Sequence, residues 1–466
     1  MSHSIAVSAF GLLIVLLFAA PLASATVAES DYSALSQAAQ QMVDEAFDGI
    51  APGSNIDHHV HVVGIGGRVN FFQQRFAQMG LSAESQGCLS TDFEAAPIYV
   101  NPKRFSFFSG PLLYVKTKGL MKAAGVTDSL FASHDELVAN DKAIAKLYHY
   151  VKGYRPGSSK PGQFVLLAMD GYYDENGVID WEQTDLLVPN GYVVRLAACM
   201  NRLFKAESGE QYAPFMPAIS IHPAREDAIA ELERYAGRAA FLKWLPNTMN
   251  INPASPEVDL FLQVMKRNKI TLLTHTGHEE ATEAQPEHQR YGNPTLHQQA
   301  LEAEVKVIMA HAGYRGHNLH HEHGTEAHNT ELFNDMLLRY PDDLKGGLSA
   351  TVFVESPYCM LGADNGCLAE KGPLVKQLER ILSNQETLYG CNLVNGSDFP
   401  LPAVDMLNPV DDLVGWQLLE EDDADALKEV WHYNPMLFDF VLKRRLQLPG
   451  EGRQKLADNM FLSGGC

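Results

Sequence analysis

No C-x-x-C pair occurs in this sequence, although it holds six cysteines: Cys88, Cys199, Cys359, Cys367, Cys391 and Cys466. That scatter argues against a zinc ribbon and against a dithiol redox motif. Cys359 and Cys367 could close a short loop in an oxidising compartment, or some of the six could be buried thiols; spacing alone does not fix the pairing. Basic residues are also scarce: 36 Lys and Arg face 57 Asp and Glu, a formal net charge of −21. A chain so acidic makes a poor partner for nucleic acid or an anionic membrane surface. Gly64, Gly66 and Gly67 are not followed by G-K-[ST], so they form no phosphate loop. No low-complexity tract is present, and beyond the first twenty residues no apolar run is long enough to span a bilayer.

The first twenty-five residues stand apart. Ala9 to Ala20 is almost unbroken apolar sequence, followed by Pro21 and by Ala23-Ser24-Ala25, an A-x-A cleavage pattern. The segment before it has no Lys or Arg, only His3. We expect a signal peptide over 1–25, cleavage after Ala25, and export to the periplasm or the medium without stable membrane insertion.

After a helical stretch at 26–54, apolar runs of strand length alternate with helices. The spacing predicts strands over 55–63, 164–170, 215–221, 240–245, 270–275, 305–311, 348–354 and 392–398. Helices are expected from Ser133-His134-Asp135-Glu136 to about Gly153, from Ser255-Pro256 to Arg267, after Asn293-Pro294-Thr295, and over 372–382. Eight such repeats predict an α/β fold, a (β/α)8 TIM barrel over 55–440, with its active site at the carboxyl ends of the strands. Residues 68–130 are too long for a strand-to-helix connection and are read as a lid insertion between strands one and two. A C-terminal helical segment covers the barrel, and 441–466 form a tail.

The strand ends carry the chemistry. Strand one holds Asp57-His58-His59-Val60-His61. Regular alternation would place Asp57, His59 and His61 on one face and His58 on the other, with His58 structural. Strand four carries Lys243, strand five ends at His275, strand six at His311, and strand eight at Gly396-Ser397-Asp398-Phe399-Pro400. Imidazoles and a carboxylate meeting at one barrel mouth suit a divalent cation. His222, at the end of strand three, could reach the mouth as a substrate contact, or simply be buried. Arg315 could clamp a substrate carboxylate, with a surface salt bridge as the alternative. His317, His320, His321, His323 and His328 read as a solvated loop over the site, with a separate metal site as the other reading.

On D-x-H-x-H, the strand-four Lys, the two later His and G-S-D-F-P, the sequence resembles the amidohydrolase superfamily of metal-dependent hydrolases, in its amidohydrolase-related (amidohydrolase 2) branch. Asn434-Pro435-Met436-Leu437-Phe438 is similar to a segment near that branch's C-terminus, with Leu-Phe one residue early. The resemblance implies that His59, His61 and Asp398 hold a first metal. It implies that His275 and His311 hold a second, or that His275 joins the first site in a one-metal arrangement. Lys243 would then be the lysine that bridges two ions as a carbamate, since a protonated lysine has no lone pair to offer. Asp398 would move the proton of a metal-activated water attacking an amide, ester or lactone of a small molecule. Zinc is the first candidate ion, one or two per chain, with Mn, Fe, Co and Ni open. Two other functions remain at this stage: a one-metal decarboxylase of a small unsaturated or aromatic carboxylic acid, and a binding protein without turnover. The oligomeric state is not written in the sequence.

Overall fold

A computed structural model of the chain describes residues 31–105, 111–127, 140–279, 281–352, 373–384, 388–448 and 455–463. The signal-peptide expectation, the helix start at Ser133 and the Cys359–Cys367 pair lie outside these residues.

Eight strands form one sheet in chain order: β1 (Ile56–His61), β2 (Gln163–Leu167), β3 (Phe215–Ile219), β4 (Phe241–Trp244), β5 (Thr271–His275), β6 (Val307–Ala310), β7 (Leu344–Gly347) and β8 (Leu393–Val394). Every recorded ladder between neighbours is parallel. The sheet closes on itself. Past β8, Phe399 bridges Val60 in parallel, His58 N–H donates to the Asn395 carbonyl at 3.0 Å, and Asp398 N–H donates to the His59 carbonyl at 2.8 Å. The fold is therefore the expected TIM barrel.

Both faces of the strands are apolar because both are covered. Along β2, Val165 and Leu167 fill the barrel interior with Ile56, Leu273, Ile308 and Val394, while Phe164 and Leu166 pack outward under the helices. Helices start where the sequence signals them. Ser255 caps a turn at Pro256–Val258 that continues as the helix Asp259–Arg267. Asn434 Oδ1 accepts the N–H groups of Met436 and Leu437 at the head of Pro435–Arg445. Nine successive residues of that helix, Pro435 to Lys443, are buried, so it is an inner element, and the expected boundary at 440 falls within it. Among the described residues no helix is long and apolar enough to cross a membrane.

Two strand expectations need correction. The seventh strand is Leu344–Gly347; 348–352 of the expected 348–354 form no strand, and 353–354 lie outside the described residues. The Val- and Phe-containing run has the higher intrinsic strand preference, yet the Leu-Lys-Gly-Gly segment is the one paired on both sides. Its glycines allow that fit: a Cβ on Gly346 would stand 2.5 Å from the Phe333 ring. Regular alternation also fails in β1. Asp57 pairs with Phe164 but Val60 with Leu166, so one extra residue is accommodated between them. Ile56 points into the interior, and the His58 ring lies edge-on to Phe241, which packs on the same interior cluster. The irregularity lets His59 and His61 both reach the mouth.

The stretch 68–130 holds helices Phe71–Gln78, Ser90–Glu94 and Pro111–Ala123, and a short strand, Tyr99–Val100, antiparallel to Leu186–Leu187. A disulfide from Cys88 to Cys199, with Cα atoms 5.7 Å apart, ties it to the long helix Asn190–Ser208.

Candidate metal centre

The carboxylate of Asp398 lies where the predicted ligands meet. Its Oδ1 is 3.3 Å from His59 Nε2 and 3.1 Å from His61 Nε2, and its Oδ2 is 3.8 Å from His311 Nδ1. The two β1 imidazole nitrogens are 3.1 Å apart. Lys243 Nζ lies 3.3 Å from His59 Nε2. The His275 ring stands 4.9 Å from that of His311, centroid to centroid. All six side chains line one cavity of about 120 Å³ at the barrel mouth. His311 and Asp398 hold left-handed backbone, with φ of 64° and 60°. Such values cost a non-glycine residue of order 1 kcal/mol and recur where a side chain must be aimed into a site.

Burial disfavours the charged form of the imidazoles and of the lysine in this cluster. His59 sits well below the ordinary imidazole pKa because it is desolvated and faces the Lys243 cation. Burial brings His275 to about 3 and also lowers His311. In its neutral form each of these rings keeps a lone pair for a cation. Burial also lowers Lys243, to about 8, although Asp398 and Glu279 pull the other way. Asp398 is the opposite case: burial would raise it, but His59, His61 and His311 hold it well below the carboxylate range.

Partners outside this cluster orient the rings. His311 Nδ1–H donates to the Ser349 carbonyl at 2.9 Å, which leaves Nε2 as the free donor atom. His275 Nδ1 is 3.4 Å from Glu279 Oε2, and its buried Nε2 has no hydrogen-bond partner among the described residues. Glu279 is itself fixed, accepting from Ala281 N–H at 2.6 Å and Thr282 N–H at 2.8 Å. Its carboxylate is held low against the opposing effect of burial by His275 and these N–H groups. One donor atom each from His59, His311 and Asp398 fall within 4.8 Å of one another. An orphaned buried imidazole nitrogen beside such a trio is the donor set of a divalent transition-metal ion, with each ring steadied from behind.

Behind the seam, Asp57 Oδ1 accepts the N–H of His59 at 3.0 Å and of Ser397 at 2.9 Å. Lys443 Nζ donates to the Gly396 carbonyl at 2.8 Å and to Asp439 at 2.7 Å. Gly396 must be glycine for this closure, since a Cβ there would stand 2.9 Å from that of His59.

Two expected substrate contacts do not line the cavity. His222 is buried against Tyr173, accepts Ala224 N–H at its Nδ1, and does not line the cavity. The turn after β3 draws its backbone N–H to Asp170. Arg315 does not line the cavity either; its guanidinium lies 5.7 Å from the Tyr314 ring centre and its carbonyl receives Asn329 Nδ2–H. The sequence reading missed Glu279, Ser349 and Arg104. Glu279 had a signal, a carboxylate four residues past a ligand histidine. Ser349 acts through its backbone, which no sequence pattern marks.

Arg104, from the 68–130 stretch, walls the cavity together with Val100, Thr117, Leu120 and Met121. It is buried and committed: it pairs with Asp185, donates to Thr117 Oγ1 at 2.7 Å and to the Ala281 carbonyl at 2.9 Å.

No family model matches the sequence, and no curated protein matches it. Among solved structures, the chain is similar to a Pseudomonas putida protein assigned as a 2-pyrone-4,6-dicarboxylic acid hydrolase, at 10% identity over 82% of this chain and 98% of that one, TM-score 0.37. A Lactobacillus casei protein assigned as a metal-dependent hydrolase gives 12% identity over 85% and 100%, TM-score 0.33. The IDCase of Metarhizium anisopliae, in apo form, gives 10% identity over 68% and 80%, TM-score 0.29.

Proposed function

We propose that the chain is a metal-dependent hydrolase of the amidohydrolase type, acting on an amide, ester or lactone of a small molecule. The observation that carries the reading is the convergence of His59, His61, His275, His311 and Lys243 around Asp398 in one cavity. A divalent cation bound there would supply a Lewis acid and an activated water. Zinc is the first candidate, and one or two ions are compatible with the donors present.

The protein's own groups have distinct tasks. Asp398, ionised and aimed into the cavity, can take a proton at a carboxylate oxygen and return it to a leaving group. Lys243 has a larger neutral fraction than an ordinary lysine, about a tenth at pH 7 for a pKa near 8. A neutral amine can add CO₂, so carbamate formation at Nζ is part of the proposal. The cavity wall favours a neutral substrate. Val62, Val100, Leu120, Met121, Leu186 and Leu401 supply apolar surface, and the Arg104 guanidinium in the wall is already taken by Asp185. The Cys88–Cys199 disulfide supports export, the compartment we propose.

The test is elemental analysis of protein purified without added metal or chelator, followed by a panel of neutral esters, lactones and amides. Bound transition metal, turnover on that panel, and loss of both in His59→Ala are expected. A chain that neither carries nor takes up Zn²⁺ or Mn²⁺ would retain the barrel and lose the proposed reaction.

A further inference from the structure

A second group of metal donors lies on the surface after β6. The chain leaves His311 and forms a hairpin, with His317–Leu319 antiparallel to Glu326–His328. Its tip is closed by His320 N–H donating to the Thr325 carbonyl and Gly324 N–H donating to the His320 carbonyl, both at 2.8 Å. Donor atoms of His320, Glu322 and His323 lie within 4.8 Å of one another. The His320 and His323 rings are stacked, with centroids 4.4 Å apart and 16° between their planes.

The tip is braced. His321 N–H donates to Thr295 Oγ1 at 3.0 Å, and Asn293 Nδ2–H to the Leu319 carbonyl at 2.7 Å. Glu322 Oε1 receives Arg339 at 2.9 Å and Gln298 at 2.8 Å, which leaves Oε2 turned toward His323, 3.8 Å from its Nε2. His320 Nδ1 accepts Glu322 N–H at 3.2 Å, a weak contact that a cation on the ring would displace.

We propose that His320, Glu322 and His323 bind one late transition-metal ion, separate from the barrel cavity. Two imidazoles and one carboxylate select Zn²⁺, Ni²⁺ or Cu²⁺ over Ca²⁺ and Mg²⁺, which prefer all-oxygen sites. Three protein donors leave coordination positions open to solvent. The binding does not depend on the reaction proposed for the barrel. It does alter an ion count: one ion per chain at the hairpin would add to whatever the barrel holds.

The experiment adds less than one equivalent of Cu²⁺ to the protein as purified and records the electron paramagnetic resonance spectrum. Calorimetric titration with Zn²⁺ runs in parallel, on wild type and on His320→Ala/His323→Ala. A nitrogen-coupled Cu²⁺ signal and uptake of one further Zn²⁺ by wild type, both absent from the double variant, are expected. Uptake that persists in the double variant, or no further uptake by wild type, would overturn the assignment. His323 is exposed and His320 half-buried, and circular dichroism of the metal-free variant checks that its fold is unchanged.

Discussion

Asp57 Oδ1 accepts the backbone N–H of Ser397 at 2.9 Å across the seam where the first and last strands meet, and it accepts His59 N–H with the same oxygen. One side chain thus fixes the backbone beside two candidate ligands, His59 and Asp398. Asp57→Ala leaves both N–H groups without their acceptor and should cost about 2–5 kcal/mol. Asp57→Asn keeps an acceptor oxygen and should cost far less, because burial already raises the Asp57 pKa and works against its charge. Urea midpoints of the two variants check this. Equal losses would mean that the charge, not the accepted bonds, holds the seam.

Glu279 steadies His275 from 3.4 Å, outside the central cluster. Glu279→Gln is expected to weaken metal binding by about 10- to 100-fold while leaving the ligand set complete. Competition with a chelator reads the affinity. Activity at saturating metal should recover most of the loss, and an unchanged affinity would reduce Glu279 to a loop anchor.

Stability should fall in acid. Burial lowers His58 and His222 to about 4 and His297 to about 3, from an ordinary value of 6.5. Rings kept neutral in the fold are free to protonate once unfolded. Their contribution is therefore full above about pH 6.5 and is lost as pH falls toward 4. Each accounts for about 2 kcal/mol between pH 8 and pH 5. His297→Leu should flatten the dependence by that amount, measured as the difference in unfolding free energy at the two pH values. An unchanged slope would show that His297 protonates in the native protein.

The Cys88–Cys199 bond spans 111 residues of sequence. Removing it as Cys88→Ser/Cys199→Ser should cost about 5 kcal/mol through the freed chain entropy of the unfolded state. The denaturation midpoint of wild type in reductant should fall further than that of the double variant, which has already lost this bond. Equal falls would assign the reductant's effect to other cysteines.

Asp398→Asn should abolish turnover, since an amide cannot hold the transferred proton, while the barrel remains folded. Steady-state rates with circular dichroism decide this. Activity within a few-fold of wild type would remove Asp398 from the proton path.

The alternation of strands and helices is legible along the chain, because hydrophobic period and capping residues are local signals. The sequence also shows which side chains end the strands: His59, His61, Lys243, His275, His311 and Asp398 were all legible at those ends, and the barrel brings them together. Tertiary structure decided the rest. The extra residue in β1 turns His58 inward and lets His59 and His61 both reach the mouth, and it exists only because the partner strand sets the register. β7 lies at Leu344–Gly347 because pairing on two sides outweighs local preference. His222 and Arg315 stand near strand ends in sequence yet do not line the cavity; His222 packs on Tyr173 and Arg315 lies by the Tyr314 ring, contacts that only the folded turns create. Glu279, Ser349 and Arg104 matter only through what they touch, and contacts between residues far apart in sequence are made by the closed barrel rather than by any local pattern.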